Sequence, residues 1–355
     1  MAGFDIYSTH HLLAAVKELT PATTFLKDRY FPTNEATDIF ATDDVLVEYK
    51  NGSKKVAPFV SPRKGGITIT REGSTMERYT PPFIAPRREL RIDDLKKRGF
   101  GEALMSGITP EQRESVLLTA DMDELSELIT RREEAMAAEI LTSNKCIMKH
   151  YGDNLTDFVE KEISFYGGDE NKAVYTPGTK WNVDGAKILL DLYAMAGMLA
   201  ERGLAATDLI VGADVAMVMV NDPAIQKLFD IKNYNLGSIA PEELPQGVSI
   251  LGVLNAFGKV ITVFVYSEKY EDENGNLVPF IPAGKVVLTA PGAGRTLYGA
   301  ITQMEQSDNQ FHTHAGTRVP KYIADAKDNS RSITISAAPL LIPNNLNPWI
   351  AATVL

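Results

Sequence analysis

The stretch TPEQRESVLLTADMDELSELITRREEAMAAEILTS, residues 109–143, decides the fold. Thr109 can cap a helix, Pro110 suits the first helical position, and Gln112 sits where a capping-box partner belongs. Leu118, Met122, Leu125, Ile129, Met136 and Ile140 fall on one stripe at spacings of three, four or seven, the period of an amphipathic helix. At 1.5 Å per residue, a helix from about 110 to 143 runs on the order of 50 Å, longer than a typical globular helix. Glu124, Glu127, Arg131, Arg132 and Glu134 form its charged side. A lone coiled coil is the competing reading, but the heptad does not persist.

Upstream, residues 44–90 read as an extended excursion. Asp44 to Tyr49 is β-rich, Asn51-Gly52 signals a turn, and Ile67 to Thr70 alternates like a strand with one covered face. Pro81, Pro82 and Pro86 enforce extended backbone before the basic step Arg87-Arg88-x-x-Arg91. Such a segment predicts a long two-stranded loop that needs an external surface, because an isolated hairpin is marginal in water. Before it, residues 1 to about 43 read as an arm, with a short helix over Thr9–Leu19 and an apolar run, Phe25 to Phe31, closed by Pro32. Phe25, Tyr30 and Phe31 must pack on something, either the parent domain or a neighbouring subunit.

Downstream, Cys146–Tyr151 and Glu160–Tyr166 read as a hairpin. Residues 181–290 then read as an α/β lobe. Asp184 is placed to cap a helix that runs to Arg202 and stops at Gly203. A strand over Asp208–Ala213, short helices near Ala216 and over Pro223–Phe229, and strands over Val248–Val253 and Val260–Tyr266 follow. Asn274-Gly275 marks a hairpin turn. Lys285–Ala290 and Arg331–Ser336 are further strands. The end of the sequence, through Trp349 to Leu355, is apolar and predicts closure of a sheet begun far upstream.

The chain has 355 residues, 44% of them hydrophobic and 23% charged, with a formal net charge of −10. That length buries a sizeable core. The acidic balance argues against a general nucleic-acid binder, which needs clustered Lys and Arg. No apolar run reaches membrane-spanning length, and the start lacks the pattern of a signal peptide. The one cysteine, Cys146, excludes an intramolecular disulfide framework and fits a reducing compartment. Catalytic signatures are missing. Gly258-Lys259 and Gly284-Lys285 are each followed by valine, so neither is a phosphate loop, and Gly292, Gly294 and Gly299 lack the dinucleotide-binding spacing. There is no His-Glu-x-x-His and no Gly-x-Ser-x-Gly. His312 and His314 share one face of an extended segment, which suits a metal or, more ordinarily, a solvated loop. Cys146 and His150 would pair as nucleophile and base only on a helix; a buried structural cysteine is the plainer reading. No cofactor, metal or catalytic residue is expected.

Arm, long excursion, lone long helix, β segment, α/β lobe and returning β segment make an unusual α+β order. It resembles the tailed-phage major capsid shell fold. The chain is similar to the lambda-type major capsid proteins, the capsid protein E family. The similarity lies in STHHLLAAV (8–16), GSTMERYTPPFIAPRREL (73–90), IPAGKVVLTAPGAGRTLYGAI (281–301) and RVPKYIADAKDNSRSITISAAPLLIP (318–343). The most specific parts are Pro86-Arg87-Arg88 and the Ser336 to Leu340 ending; residues 180–275 match mainly in layout.

The resemblance implies a subunit without enzymatic activity that self-assembles into hexamers and pentamers of an icosahedral head around double-stranded DNA. It implies an N-terminal arm (1–43), an extended loop on an adjacent subunit (44–90) and a peripheral domain with the spine helix (91–180). It further implies an axial domain (181–285) and return strands to the peripheral sheet (286–355). Phe25, Tyr30, Phe31, Lys54, Lys55, Arg63, Lys64, Arg71, Arg87 and Arg88 are the candidate inter-subunit contacts; the lysines and arginines are equally readable as solvated charges. The implied partners are copies of itself, a separate scaffolding protein, a portal protein, a decoration protein on some shells, and DNA held without sequence specificity. The implied setting is a virion capsid assembled in the host bacterial cytoplasm, with no membrane. Some relatives carry an N-terminal scaffolding region or a Lys–Asn cross-link; this chain starts at the arm, and no such pair is assignable. The alternatives are a compartment shell of the same fold enclosing a cargo enzyme, and a soluble α/β enzyme built on the lobe at 181–290.

Overall fold

The computed structural model of the chain describes residues 24–49, 75–91, 109–151, 158–165, 173–230, 237–238, 242–244, 247–306, 308–325, 327 and 329–355. The helices among them are α1 (Leu26–Tyr30), α2 (Pro110–Ser143), α3 (Ile188–Glu201), α4 (Ala213–Asn221) and α5 (Pro223–Asp230). Helix α2 starts as its sequence predicts. The Thr109 hydroxyl accepts the Gln112 N–H, and the Gln112 side chain accepts the Thr109 N–H. It ends at Asn144, which adopts the left-handed conformation (φ 59°) that closes helices.

The predicted stripe is the buried face, and α2 serves two cores with it. Met122, Leu125 and Ile129 pack with Ile333, Ile335 and Ala337. Ile333 and Ile335 belong to a three-stranded sheet in which Ser330–Ser336 lies between Val319–Asp325 and Arg87–Arg91, and Ala337 bridges to Ile84 just beyond it. Met136, Ile140 and Leu141 enter the larger core instead.

The central sheet has eight strands among the described residues. Its order is Val174–Tyr175, Ile350–Thr353, Lys285–Thr289, Asp208–Val211, Lys259–Tyr266, Val248–Ala256 and Gly237–Ser238, with Glu242–Leu244 also paired to Val248–Ala256. Alternation along the strands splits the two faces. Leu209, Val211, Ile261, Val263, Val286 and Leu288 join a core with α3 and α4. Ile210, Phe264, Tyr266, Val287 and Ala351 face the core that contains α1 and the second half of α2. The sheet is thus a shared wall between two hydrophobic cores.

One expectation is corrected here. Asp184 does not cap α3, which begins at Ile188 after Lys187 with no side-chain cap. A turn at Gly185 (φ 86°) separates Asp184 from the helix. Within residues 286–355, Ile350–Thr353 joins the central sheet beside Lys285–Thr289 and Val174–Tyr175, and Lys285–Thr289 also pairs with Asp208–Val211. Apolar strands with both faces covered belong in the middle of a sheet. Gly294–Tyr298 pairs with Pro339–Pro343, and Ile301–Met304 with Phe311–His314.

Gly294 is a close-packing point. A Cβ there would collide with the Phe31 ring and sit 2.6 Å from the Ile342 carbonyl oxygen. Gly294→Ala is expected to destabilise the subunit by about 1–3 kcal/mol through overpacking, read as a lowered urea midpoint.

Candidate functional site

The arm is the first element to place. Helix α1 lies on α2, and its three free N-terminal N–H groups converge on one buried carboxylate. Glu134 accepts from the N–H of Phe25 (3.2 Å), Leu26 (2.7 Å) and Lys27 (2.9 Å), and from the Tyr266 hydroxyl (3.0 Å). Burial pushes the Glu134 carboxyl up from its ordinary value, against the pull of those donors. Its neighbour Glu133 is fully buried and accepts from Lys27 Nζ (2.6 Å), Arg318 (2.7 and 2.9 Å) and the Tyr298 hydroxyl (3.1 Å). Burial works to raise the Glu133 carboxyl too, but Lys27 and Arg318 hold it below the usual range. A third carboxylate, Asp208 at the start of a central strand, accepts from Arg29 Nε (2.6 Å) and the Tyr30 hydroxyl (3.1 Å).

Phe25, Tyr30 and Phe31 therefore face inward. Tyr30 and Phe31 are wholly buried. Phe25 packs on Phe264 and Tyr266, and Phe31 on Trp349. Of the two partners open to these aromatics, the parent domain is the one they pack on, which corrects their listing as inter-subunit contacts. The N–H groups of so short a helix need acceptors, and Glu134 on the body of the subunit supplies them. Glu134, counted by its charge on the charged side of α2, is likewise buried.

The excursion begins and ends on a two-stranded stem, Val45–Tyr49 against Thr75–Tyr79. Val45 and Val47 are buried, Tyr79 packs on Phe165, and Asp44 binds Arg78 and the Thr80 hydroxyl. Lys54, Lys55, Arg63, Lys64 and Arg71 lie outside the described residues, as does the strand expected over Ile67–Thr70. Arg88 spans from the strand Arg87–Arg91 to α2, meeting Asp121 (3.0 Å) and Glu124 (2.5 and 2.8 Å). It ties the strand to the spine within one subunit. Arg87 is exposed, 3.0 Å from Glu89 on the same strand.

The histidine and cysteine candidates come apart. Cys146 and His150 lie on one strand, Lys145–Tyr151, roughly 13 Å apart, with the thiol buried and the imidazole exposed. Burial pushes the Cys146 thiol up to about 12. The native chain is expected to resist maleimide at neutral pH and to react fully in urea, checked by mass. His312 pairs with Asp308 (2.7 Å) and His314 with Glu305 (2.8 Å). Among the described residues no three His, Cys, Asp or Glu side chains are grouped to hold a metal. A groove of about 760 Å3 runs beside the second half of α2, lined by Phe83, Met136, Cys146 and Tyr270 among others. Of its charged lining, Arg132 pairs with Glu273, and Glu139 accepts the Ile147 N–H (3.2 Å).

What the geometry supplies is a body with two hydrophobic cores, an arm held to it from Thr24 onward, and a loop on a two-stranded stem. The phage major capsid protein E family matches residues 8–354. The major capsid protein of Escherichia phage lambda is 24% identical over 352 residues, covering 95% of this chain and 96% of its own. That of Enterobacteria phage P21 is 22% identical over 360 residues, covering 98% and 99%. The crystal structure of a prophage capsid protein from Escherichia coli CFT073 superposes with a TM-score of 0.68 at 20% identity, covering 98% and 99% of the two chains, and shares the fold. The chain belongs to the phage major capsid protein E family and is a head-shell subunit of a tailed phage.

Proposed function

We propose that the subunit assembles into hexamers and pentamers in which the loop carried on the stem, residues 50–74, reaches onto a neighbouring copy. The observation that carries this is the stem: the loop leaves the body on a fixed two-stranded root, while residues 50–74 hold six basic residues and one acidic one in a chain of net charge −10. A basic loop on an acidic subunit finds its complement on the next subunit. The arm from Thr24 onward holds to its own body, so the loop supplies the reach. The α/β lobe, completed by Lys285–Thr289 and Ile350–Thr353, is the part nearest the hexamer or pentamer axis. Helix α2 with its sheets is the peripheral part. Many modest contacts of this kind let misplaced copies leave and hold the finished shell.

A separate scaffolding protein, a portal protein and, on the outside, a decoration protein complete the set of partners. Packaged DNA is held without sequence specificity, since an acidic shell gives phosphates little to bind. Assembly takes place in the host bacterial cytoplasm, and the chain itself catalyses no reaction. Negative-stain electron microscopy of the purified protein, alone and with candidate scaffolding proteins, tests this. Closed shells, tubes or six-fold rings are expected; a strict monomer under every condition would overturn it. Shells that enclose a protein cargo would point to a compartment instead.

A further inference from the structure

Helices α3 and α4 cover one face of the central sheet, and their outer side is as apolar as their inner side. Between Lys187 and Glu201, the one charged residue of α3 is Asp191, which turns inward to the Tyr175 hydroxyl (2.7 Å) and Trp181 Nε1 (2.9 Å). On α4 the one charged residue is Asp214, which accepts the Gly284 N–H (2.6 Å). Leu190 and Tyr193 lie one turn apart on the outside of α3, and Met217 and Val220 do the same on α4. A surface helix that is apolar all round is covered by something.

The adjoining hairpin adds a second, independent observation. Ala256 pairs with Lys259, so Phe257-Gly258 is a two-residue turn with both φ angles positive, 51° and 87°. Such turns favour Asn-Gly, and a bulky residue at the first position is strained. The strain is held by Asn255 Oδ1, which accepts the Gly258 N–H (2.7 Å). What it achieves is display. Phe257 is 67% exposed, edge-on to Tyr193 at 5.6 Å, and Tyr193 is itself 44% exposed. A strained backbone that leaves two thirds of an aromatic ring open to solvent points to a contact outside the subunit.

We propose that this outer helical face, centred on Tyr193 and Phe257, is a contact surface for a second copy of the chain. The proposal rests on the shell reading and adds the residues of one contact. Two physical arguments select a copy over another partner. A chain of net charge −10 repels its copies, so copies meet most cheaply where no carboxylate is presented, as on this face. The exposed fractions also leave a patch on the order of 400 Å2, about half the ~800 Å2 a side that a lasting pair needs. Such a patch cannot hold a partner unaided. It adds to contacts already made by a neighbour in a closed shell.

The test is Phe257→Asn in the full chain, with Tyr193→Ser as a second variant, assembled beside the unmodified protein. Asn-Gly suits the turn, so the free subunit should melt no lower than the unmodified one. Its threshold concentration for shell formation should rise at least tenfold, and Tyr193→Ser should raise it similarly. Unchanged thresholds for both variants would overturn the proposal. So would a melting temperature that falls with assembly, which makes the ring part of its own subunit's packing. Normal shells that lose a co-purifying scaffolding protein would assign the face to that protein instead. If the unmodified chain fails to assemble, the shell reading is lost, and this contact with it.

Discussion

Glu133→Gln should destabilise the folded subunit by about 3–5 kcal/mol, the usual loss when one member of a buried charge group is removed. The amide keeps the shape of the side chain but leaves Lys27 and Arg318 as two buried cations with no anion between them. It also turns an acceptor into a partial donor facing the Tyr298 hydroxyl. In a chain of this size the melting temperature should fall by roughly 4–7 °C.

The same carboxylate sets an acid limit. Because Lys27 and Arg318 hold the Glu133 carboxyl below its ordinary value, the stability it contributes is complete above that value. It is lost as pH falls through the lowered one. Glu134 works in the opposite sense. Its value is raised, so the stability tied to its proton is present below the ordinary value and lost as pH rises through the raised one. Urea titrations between about pH 3 and 7 should show the unmodified chain losing stability at the acid end. Glu133→Gln should be flatter there. Equal acid slopes for the two proteins would sink this account.

Trp349→Ala should cost about 3–5 kcal/mol, the range for removing a buried aromatic. Trp349 has no exposed surface and packs on Phe31 at 5.7 Å, so it joins the C-terminal region to the arm across the larger core. Its indole N–H has no hydrogen-bond partner among the described residues. Trp349→Phe should therefore be mild, under about 1.5 kcal/mol, since it gives up little volume and removes an unpaired donor. Denaturant midpoints order the three proteins. A Trp349→Phe loss as large as that of Trp349→Ala would mean that the indole nitrogen, not the packing, is what matters.

The long helix was legible in sequence because every local signal agreed: Thr109, Pro110 and Gln112 mark its start, and the stripe from Leu118 to Ile140 its face. Asn274-Gly275 marked its hairpin for a similar reason, with Gly275 at φ 80°. Glu133 and Glu134 were missed because charge outweighs period in such a reading. Yet Ile129, Glu133 and Met136 continue the apolar spacing, so an acid on the stripe was the available sign of a buried ion group. Phe25, Tyr30 and Phe31 were ambiguous because burial alone does not say whose surface does the burying. The partners of Ile350–Thr353 lie up to about 180 residues away, and no local pattern specifies such pairing. Phe257-Gly258 escaped notice because phenylalanine is the wrong residue for its turn, so no local signal marked it.

The place of Ile350–Thr353 has a consequence for timing during synthesis. That strand sits between Val174–Tyr175 and Lys285–Thr289, so the wall dividing the two cores has a gap until it arrives. A ribosome adding 5–20 residues per second needs on the order of ten seconds to pass from Asp208 to Ile350. Through that interval the nascent chain holds Asp208–Val211 without its full sheet. The wall between the two cores is therefore completed only after residues 350–353 have been made, and until then both cores lie open along that gap.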